Sequence, residues 1–471
     1  MALTFSQPLA ARATPIPGVV LYDLPVHGDN RGWFKENWQR EKMLALGLPD
    51  FGPVQNNISF NEKAGTTRGI HAEPWDKYIS VATGRIFGAW VDLREGDSFG
   101  TVFTVEMGPD TAIFIPRGVG NAFQTLEDNT AYTYLVNDHW SADAQGQYTF
   151  LNLADETAAI NWPIPLETAE LSDKDKAHPR LAHVIPMAPK KVLVLGADGQ
   201  LGHALRVAYA GDPRVEFASR ADFDLTDEAA FSARNWKNYS AIINAAAYTA
   251  VDAAETPPGR AAAWSINVGA VTRLARVAVE HGITLVHVSS DYVFDGTREL
   301  HGEDEPFAPL GVYGQTKAAG DAVVSTVPRH YIIRTSWVIG EGSNFVNTMA
   351  SLASRGISPS VVDDQVGRLT FTEDLAAGIR HLLDSEAPHG TYNLSNTGPA
   401  SSWADVARDV FRLSGASPEA VTGVSTEEYF AGKAGVASRP LQSTLDLGKL
   451  EGTGFIPEAV SVRLEAYVKQ L

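Results

Sequence analysis

Tyr313 and Lys317 lie four residues apart in Tyr313-Gly314-Gln315-Thr316-Lys317, which sets both side chains on one face of a helix, one turn from each other. An ammonium so placed is expected to lower the phenol's pKa by opposing charge. Such a phenol can protonate a carbonyl oxygen while a hydride reaches its carbon. By itself the pair also describes an ordinary exposed helix face. Its context favours chemistry: Ser289-Ser290-Asp291-Tyr292-Val293-Phe294-Asp295-Gly296 precedes it, and farther upstream the apolar run Lys191-Val192-Leu193-Val194-Leu195 opens into Gly196-Ala197-Asp198-Gly199-Gln200-Leu201-Gly202. Glycines in that pattern, between a strand and a helix, permit a tight turn and close backbone approach to a pyrophosphate at the helix N-terminus. After the next apolar run, Val215-Glu216-Phe217-Ala218, stands Ser219-Arg220 in place of an acidic residue. A ribose 2′-hydroxyl favours a carboxylate there and a 2′-phosphate an arginine, so the pattern points to NADPH with NADH tolerated. A solvated loop charge is the other reading of Arg220.

These residues need a scaffold, and the sequence shows two kinds. From about residue 15 to 165, short alternating runs such as Tyr78–Val81, Arg85–Leu93 and Ala112–Pro116 are separated by glycine, proline and aspartate turns, the pattern of an antiparallel barrel or jelly roll. After residue 190, apolar strands (Ala241–Ala246, Thr284–Ser289, Tyr331–Thr335) alternate with alanine-rich helical segments, which predicts a Rossmann-like, doubly wound parallel sheet. Between them, Lys176 to Pro189 carries three prolines and no clear period, and the boundary is placed there. The expected organisation is an all-β domain over 1–186 and an α/β domain over 190–471.

A chain of 471 residues is too long for a single core. Hydrophobic residues at 44% and charged residues at 20% describe an ordinary globular protein. The absence of cysteine excludes disulfides, thiolate metal sites and cysteine nucleophiles. A net charge of −18 argues against nucleic acid, which needs a basic footprint, while small anionic substrates need only a local arginine cluster. The first thirty residues lack a basic segment leading into an apolar core, and no apolar run spans a bilayer. A cytoplasmic protein with no membrane partner is expected.

Positions 190–471 resemble the dTDP-4-dehydrorhamnose reductases of the extended short-chain dehydrogenase superfamily. The resemblance rests on Gly196–Gly202, Asn244–Asp252, Asn267, the Ser289–Gly296 run, Arg334-Thr335-Ser336-Trp337, Asp364-Gln365-x-Gly367 and Arg439-Pro440. It implies that Tyr313 is the proton donor, that Lys317 orients the nicotinamide ribose and lowers the tyrosine's pKa, and that Ser290, where the family usually has threonine, holds the substrate carbonyl oxygen. It further implies a cofactor site built from Gly196, Gly199, Gln200, Leu201, Gly202, Arg220, Asp224, Leu225, Ala245, Ala246 and Ala247 with Tyr313 and Lys317. Trp337 and Arg439 become substrate contacts, although a tryptophan at 337 also fits a plain core role.

In the strand-rich half, Asn57-Ile58-Ser59, Arg68-Gly69-Ile70-His71, Lys77, Val91–Gly96, Phe99-Gly100, Ile115-Pro116-Arg117-Gly118 and Tyr134 form an ordered series. Over about residues 15–180 it resembles the cupin-fold dTDP-4-dehydrorhamnose 3,5-epimerases. By that resemblance His71 is the base, Asp175 orients it, Lys77 stabilises an enolate, and Tyr134 returns a proton from the opposite face. Arg31, Gln55, Asn57, Arg68 and Trp140 are assigned to the nucleotide sugar, a homodimer through the cupin domain is implied, and no cofactor is. The chemistry suits those residues: carbons 3 and 5 flank a C4 ketone, so inverting them needs a base on one face, an acid on the other, and positive charge near the carbonyl oxygen. The sequence departs from the family in three places. The Ala72–Asp76 loop is short, Asn121 stands where histidine is usual, and Trp140 stands where a second tyrosine is common. No metal is expected, because a metal-dependent cupin would want a His-x-His pair and none of the 12 histidines is so spaced.

The leading expectation is therefore one enzyme of dTDP-L-rhamnose synthesis that epimerises a 4-keto-6-deoxyglucose nucleotide and then reduces it with NADPH. In the rival reading the cupin half only binds or dimerises and the reductase alone works. A dehydratase or C4-epimerase shares Tyr-x-x-x-Lys, but the Asp364-Gln365-x-Gly367 segment argues for reduction.

Overall fold

The computed structural model describes residues 5–140 and 146–471, and the chain divides into two compact units, 1–189 and 190–471. In the first, alternating runs pair as two antiparallel sheets. One is ordered Ala10–Ala13, Val20–Asp23, Thr111–Ile115, Lys77–Thr83, Thr130–Val136, Gln55–Asn61; the other Thr149–Phe150, Thr67–Ala72, Val119–Thr125, Ile86–Asp92, Val102–Met107. Side chains of period two from both sheets, including Ile79, Val81, Trp90, Ile113, Phe123 and Tyr132, share one core. A second cluster joins Ile70, Ala89 and Val91 to Leu151, Leu181 and Met187 of the irregular segment that follows the strands. The pairing fixes the site: His71 lies between Asn121 on one neighbouring strand and Phe150 on the other.

The second unit holds six parallel strands ordered Val215–Ala218, Lys191–Leu195, Tyr239–Asn244, Thr284–Ser290, His330–Thr335, Gly390–Asn393. Their continuous apolar stretches are explained by separate cores on the two faces. The strand expected at Ala241–Ala246 runs instead over Tyr239–Asn244, which leaves Ala245–Ala247 beyond its C-terminal end. The order reverses beside Lys191–Leu195, the place where open α/β sheets bind ligands. The helices Phe345–Ser354, Trp403–Leu413 and Val460–Val468 bury a third cluster. Among the described residues no helix is long and apolar enough to cross a membrane.

Candidate active sites

In the first unit a cavity of about 1230 Å³ is lined by His71, Lys77, Tyr134, Arg68, Trp140 and Asp175, along with Glu73, Asn121, Tyr148 and His178. The Thr67–Ala72 strand presents His71, whose Nε2 is 2.9 Å from Asp175 Oδ1. Asp175 is buried in the short helix Asp173–Lys176, where the side chain of Ser172 accepts from its backbone N–H. Burial alone would raise its carboxyl, but the hydrogen bond from His71 and that residue's charge outweigh burial, and the net direction is down from 3.8. His178 packs edge-on to His71 and stacks on Phe150. Burial and the neighbouring His71 push its pKa down.

The short loop places Lys77 in the cavity wall, with its side chain 4% exposed and ion-paired to Glu73. Trp75 anchors the loop against Val136 and Tyr148. Lys77 Nζ sits 5.1 Å from the Tyr134 ring centroid, and burial, then the Glu73 charge, hold the Tyr134 phenol above its ordinary range. Asn121, where the sequence resemblance leads to an expectation of histidine, accepts from the Tyr132 hydroxyl at 3.1 Å.

The structure brings only part of the expected sugar-binding set to this wall. Arg31 is on an exposed hairpin, clasped to Asp29, and Gln55 and Asn57 hydrogen-bond each other on the neighbouring edge strand. Glu73 and His178 were not legible as site residues. Glu73 is two residues from His71, a spacing with no special meaning in a strand that turns, and His178 arrives from a separate segment. With Asp175 and His71 it forms the one group among the described residues with metal-ligand geometry, which a search for His-x-His could not find.

In the second unit Gly196 adopts φ +78°, and a Cβ there would come within 2.8 Å of Ala246 N. A Cβ on Gly202 would fall 2.4 Å from the Gly196 carbonyl. The backbone thus forms a cradle that side chains would fill, opening at the start of the Gln200–Ala208 helix beside Ala245–Ala247, and it fits a dinucleotide pyrophosphate. Arg220 is largely exposed, 3.4 Å from Asp224. Asp224 also accepts from Thr226, and Leu225 is buried.

Tyr313 and Lys317 lie on the Val312–Val324 helix, with Ser290 at the end of its strand. Ser290 Oγ donates to Asp291 Oδ1 at 2.9 Å. The expected lowering of the tyrosine's pKa is not what the structure gives. Burial dominates and pushes Tyr313 up to about 12, opposed by a hydrogen bond with Ser290, while burial lowers Lys317 to about 8. The ammonium donates to Val288 O at 2.6 Å, so its strongest contact is to the strand. For a reduction this arrangement keeps the phenol protonated at neutral pH. Trp337, at φ +45°, stacks on Trp403 with centroids 3.7 Å apart. Arg439 is tied to Asp252 at 2.9 Å.

The first unit is thus a jelly roll whose cavity gathers a histidine–carboxylate pair, a lysine and tyrosines, a set for moving protons beside a carbonyl. The second is a dinucleotide fold with a tyrosine–lysine pair, the form of a carbonyl reductase. The family model described as dTDP-4-dehydrorhamnose 3,5-epimerase matches residues 13–183, and that described as RmlD substrate binding domain matches residues 190–471. The chain is 51% identical over 192 residues to the protein RmlC homolog of Streptococcus pyogenes serotype M6, covering 40% of this chain and 96% of that protein. It is 35% identical over 277 residues to the dTDP-4-dehydrorhamnose reductase of Aggregatibacter actinomycetemcomitans, covering 55% and 92%. The structure of dTDP-4-dehydrorhamnose reductase from Bacillus anthracis in complex with NADP superposes with a TM-score of 0.55 at 33% identity, covering 60% of this chain and 99% of that one. The chain belongs to the dTDP-4-dehydrorhamnose 3,5-epimerase family in its first unit and to the dTDP-4-dehydrorhamnose reductase family in its second.

Proposed function

We propose that this chain converts dTDP-4-dehydro-6-deoxyglucose to dTDP-L-rhamnose by epimerisation at carbons 3 and 5 followed by reduction of the C4 ketone. The observation that carries the reading is a complete proton-transfer set around one cavity, with His71 held by Asp175 at 2.9 Å, in the same polypeptide as a Tyr313–Lys317 reductase pair. His71 removes the proton next to the ketone, Lys77 balances charge on the enolate oxygen, and Tyr134 returns a proton from the other face. In the second unit Ser290 holds the C4 oxygen and Tyr313 delivers its proton, with Lys317 positioned behind. The Gly196–Gly202 turn and Ala245–Ala247 would hold NADPH, which supplies the hydride. Arg220 favours the 2′-phosphate, with NADH tolerated, and the NADP named for the Bacillus anthracis structure supports that preference.

A homodimer through the cupin unit accompanies this reading. The edge strand Gln55–Asn61 points its apolar Ile58 and Phe60, 68% and 57% exposed, outward beside Asn56, while Gln55, Asn57, Ser59 and Asn61 face inward, largely the inverse of a strand facing water. A cytoplasmic location goes with this reading, since it makes a nucleotide sugar and NADPH the reactants.

The test is to incubate the full chain with dTDP-4-dehydro-6-deoxyglucose and NADPH and determine the product's configuration. L-rhamnose is expected. A 6-deoxy sugar with D configuration at carbon 5 would leave the reductase alone active and favour a binding role for the cupin unit.

A further inference from the structure

The cavity of the first unit also holds residues that the proposed reaction does not use, and one of them stands beside the base. His178 is next to the His71–Asp175 pair, its side chain 12% exposed. Its Nε2 is 3.9 Å from Asp175 Oδ1, the oxygen that His71 Nε2 meets at 2.9 Å. All three donor atoms lie within 4.8 Å of one another. A zinc ion bound to imidazole nitrogen and carboxylate oxygen at about 2.0–2.2 Å sets neighbouring donors roughly 3–4 Å apart, and the two separations from Asp175 fall on that scale. One carboxylate and two imidazoles also suit a borderline metal better than they suit calcium or magnesium, which prefer oxygen.

Support around the three is built in. The Gly69 backbone N–H donates to Asp175 Oδ2 at 3.4 Å, and His178, His71 and Phe150 pack as a triangle of rings in mutual contact. Such packing and outer hydrogen bonds fix the direction of metal ligands. His71, Asp175 and His178 all line the cavity, so an ion held by them would have solvent at hand to complete its coordination.

We propose that His71, Asp175 and His178 form an inhibitory site for zinc-class divalent cations, filled at the expense of epimerisation. The ion takes the place of the proton on His71 Nε2, which otherwise donates to Asp175; that proton is released to solvent, and the ion's positive charge makes the other ring nitrogen a poorer acceptor of the substrate proton. It also draws Asp175 away from its orienting role. No bond of the substrate is made or broken, and occupancy simply silences the base. The proposal rests on the reading of His71 as the base, and the reductase unit in the same chain provides an internal control.

The experiment uses the full chain, stripped by a chelator that is then removed, and titrated with zinc chloride. Calorimetry is expected to show one site of micromolar affinity or tighter. Solvent deuterium exchange into the 4-keto sugar should fall at least about tenfold when that site fills and recover with EDTA, the scale of losing a catalytic base. NADPH oxidation with pre-epimerised ketone should stay within about twofold. His178→Gln should weaken zinc binding at least about 10-fold, since losing even an outer partner of a metal ligand costs about 10- to 100-fold, with inhibition scored against the variant's own zinc-free rate. Cobalt(II) gives a readout on the unmutated chain, where the intense visible bands of a four- or five-coordinate site are expected.

No calorimetric site, a weak six-coordinate cobalt spectrum, unchanged affinity in His178→Gln, or parallel loss of both activities would overturn the proposal. Absence of exchange in zinc-free protein would instead overturn the epimerase reading, with calorimetry still deciding whether the ion binds.

Discussion

Lys317 shows how a single buried group links chemistry to stability. It is 2% exposed, and burial lowers its pKa from 10.5 to about 8. Below about pH 8 the folded and unfolded chains both carry this proton, and the folded chain bears the desolvated charge. Between about 8 and 10.5 the unfolded chain binds more protons than the folded one, so this residue makes stability rise with pH through that window. Tyr313 acts in the opposite sense from pH 10, where the unfolded phenol starts to ionise, up to about 12. Lys317→Met removes only the first effect. Its stability relative to wild type should therefore be most favourable near pH 7 and decline toward pH 10 by about 3 kcal/mol, the scale of that lysine shift. Chemical denaturation of both proteins across this range measures it. A difference independent of pH would mean that the lysine is solvated in the folded state.

Among the elements, the loop from His71 to Lys77 carries the sharpest question, because the sequence resemblance marks it as short and it still delivers its lysine to the cavity wall. Trp75, buried at 6% exposed, sets its path, and Glu73 holds the ammonium. If Lys77 balances enolate charge, Lys77→Met should lower deuterium exchange by roughly 10² or more, the scale of losing one preorganised partner of an oxyanion. Substrate affinity should change little, since that charge develops on the way to the transition state. Near wild-type exchange would show that another group serves the enolate. The strand after this loop was readable from the alternation at Tyr78–Val81, the turn at 196–202 from its glycines, and the Tyr313–Lys317 helix from its four-residue spacing. The cavity wall was not. Glu73 and His178 reach it through a turn and a distant segment, and spacing in sequence carries no trace of either. Arg31 matched a sugar-binding position in sequence, yet local pairing with Asp29 leaves it on an exposed hairpin. The direction of the Tyr313 shift was misread for a related reason: sequence shows the neighbouring charge but not the burial that outweighs it.

At the scale of the whole molecule, the two units carry separate sets of reacting groups, so each can be silenced alone. His71→Ala should stop exchange but still reduce pre-epimerised ketone, and Tyr313→Phe should stop NADPH oxidation but still exchange. An equimolar mixture of the two variants, each at the wild-type molar concentration, then contains the same number of working sites as wild type, placed on different chains. Product must form, because the epimerised nucleotide sugar can leave one chain and bind another. What changes is the approach to steady state. In the mixture every intermediate must find a second polypeptide, which takes about 10 s at 0.1 µM for an encounter rate of about 10⁶ M⁻¹ s⁻¹. In wild type a share is captured by the reductase on the same chain, through the raised local concentration that linkage provides. Stopped-flow NADPH oxidation should therefore show a longer lag for the mixture and equal final rates. Identical lags would mean that the intermediate always escapes to bulk solution and that fusion brings no kinetic gain.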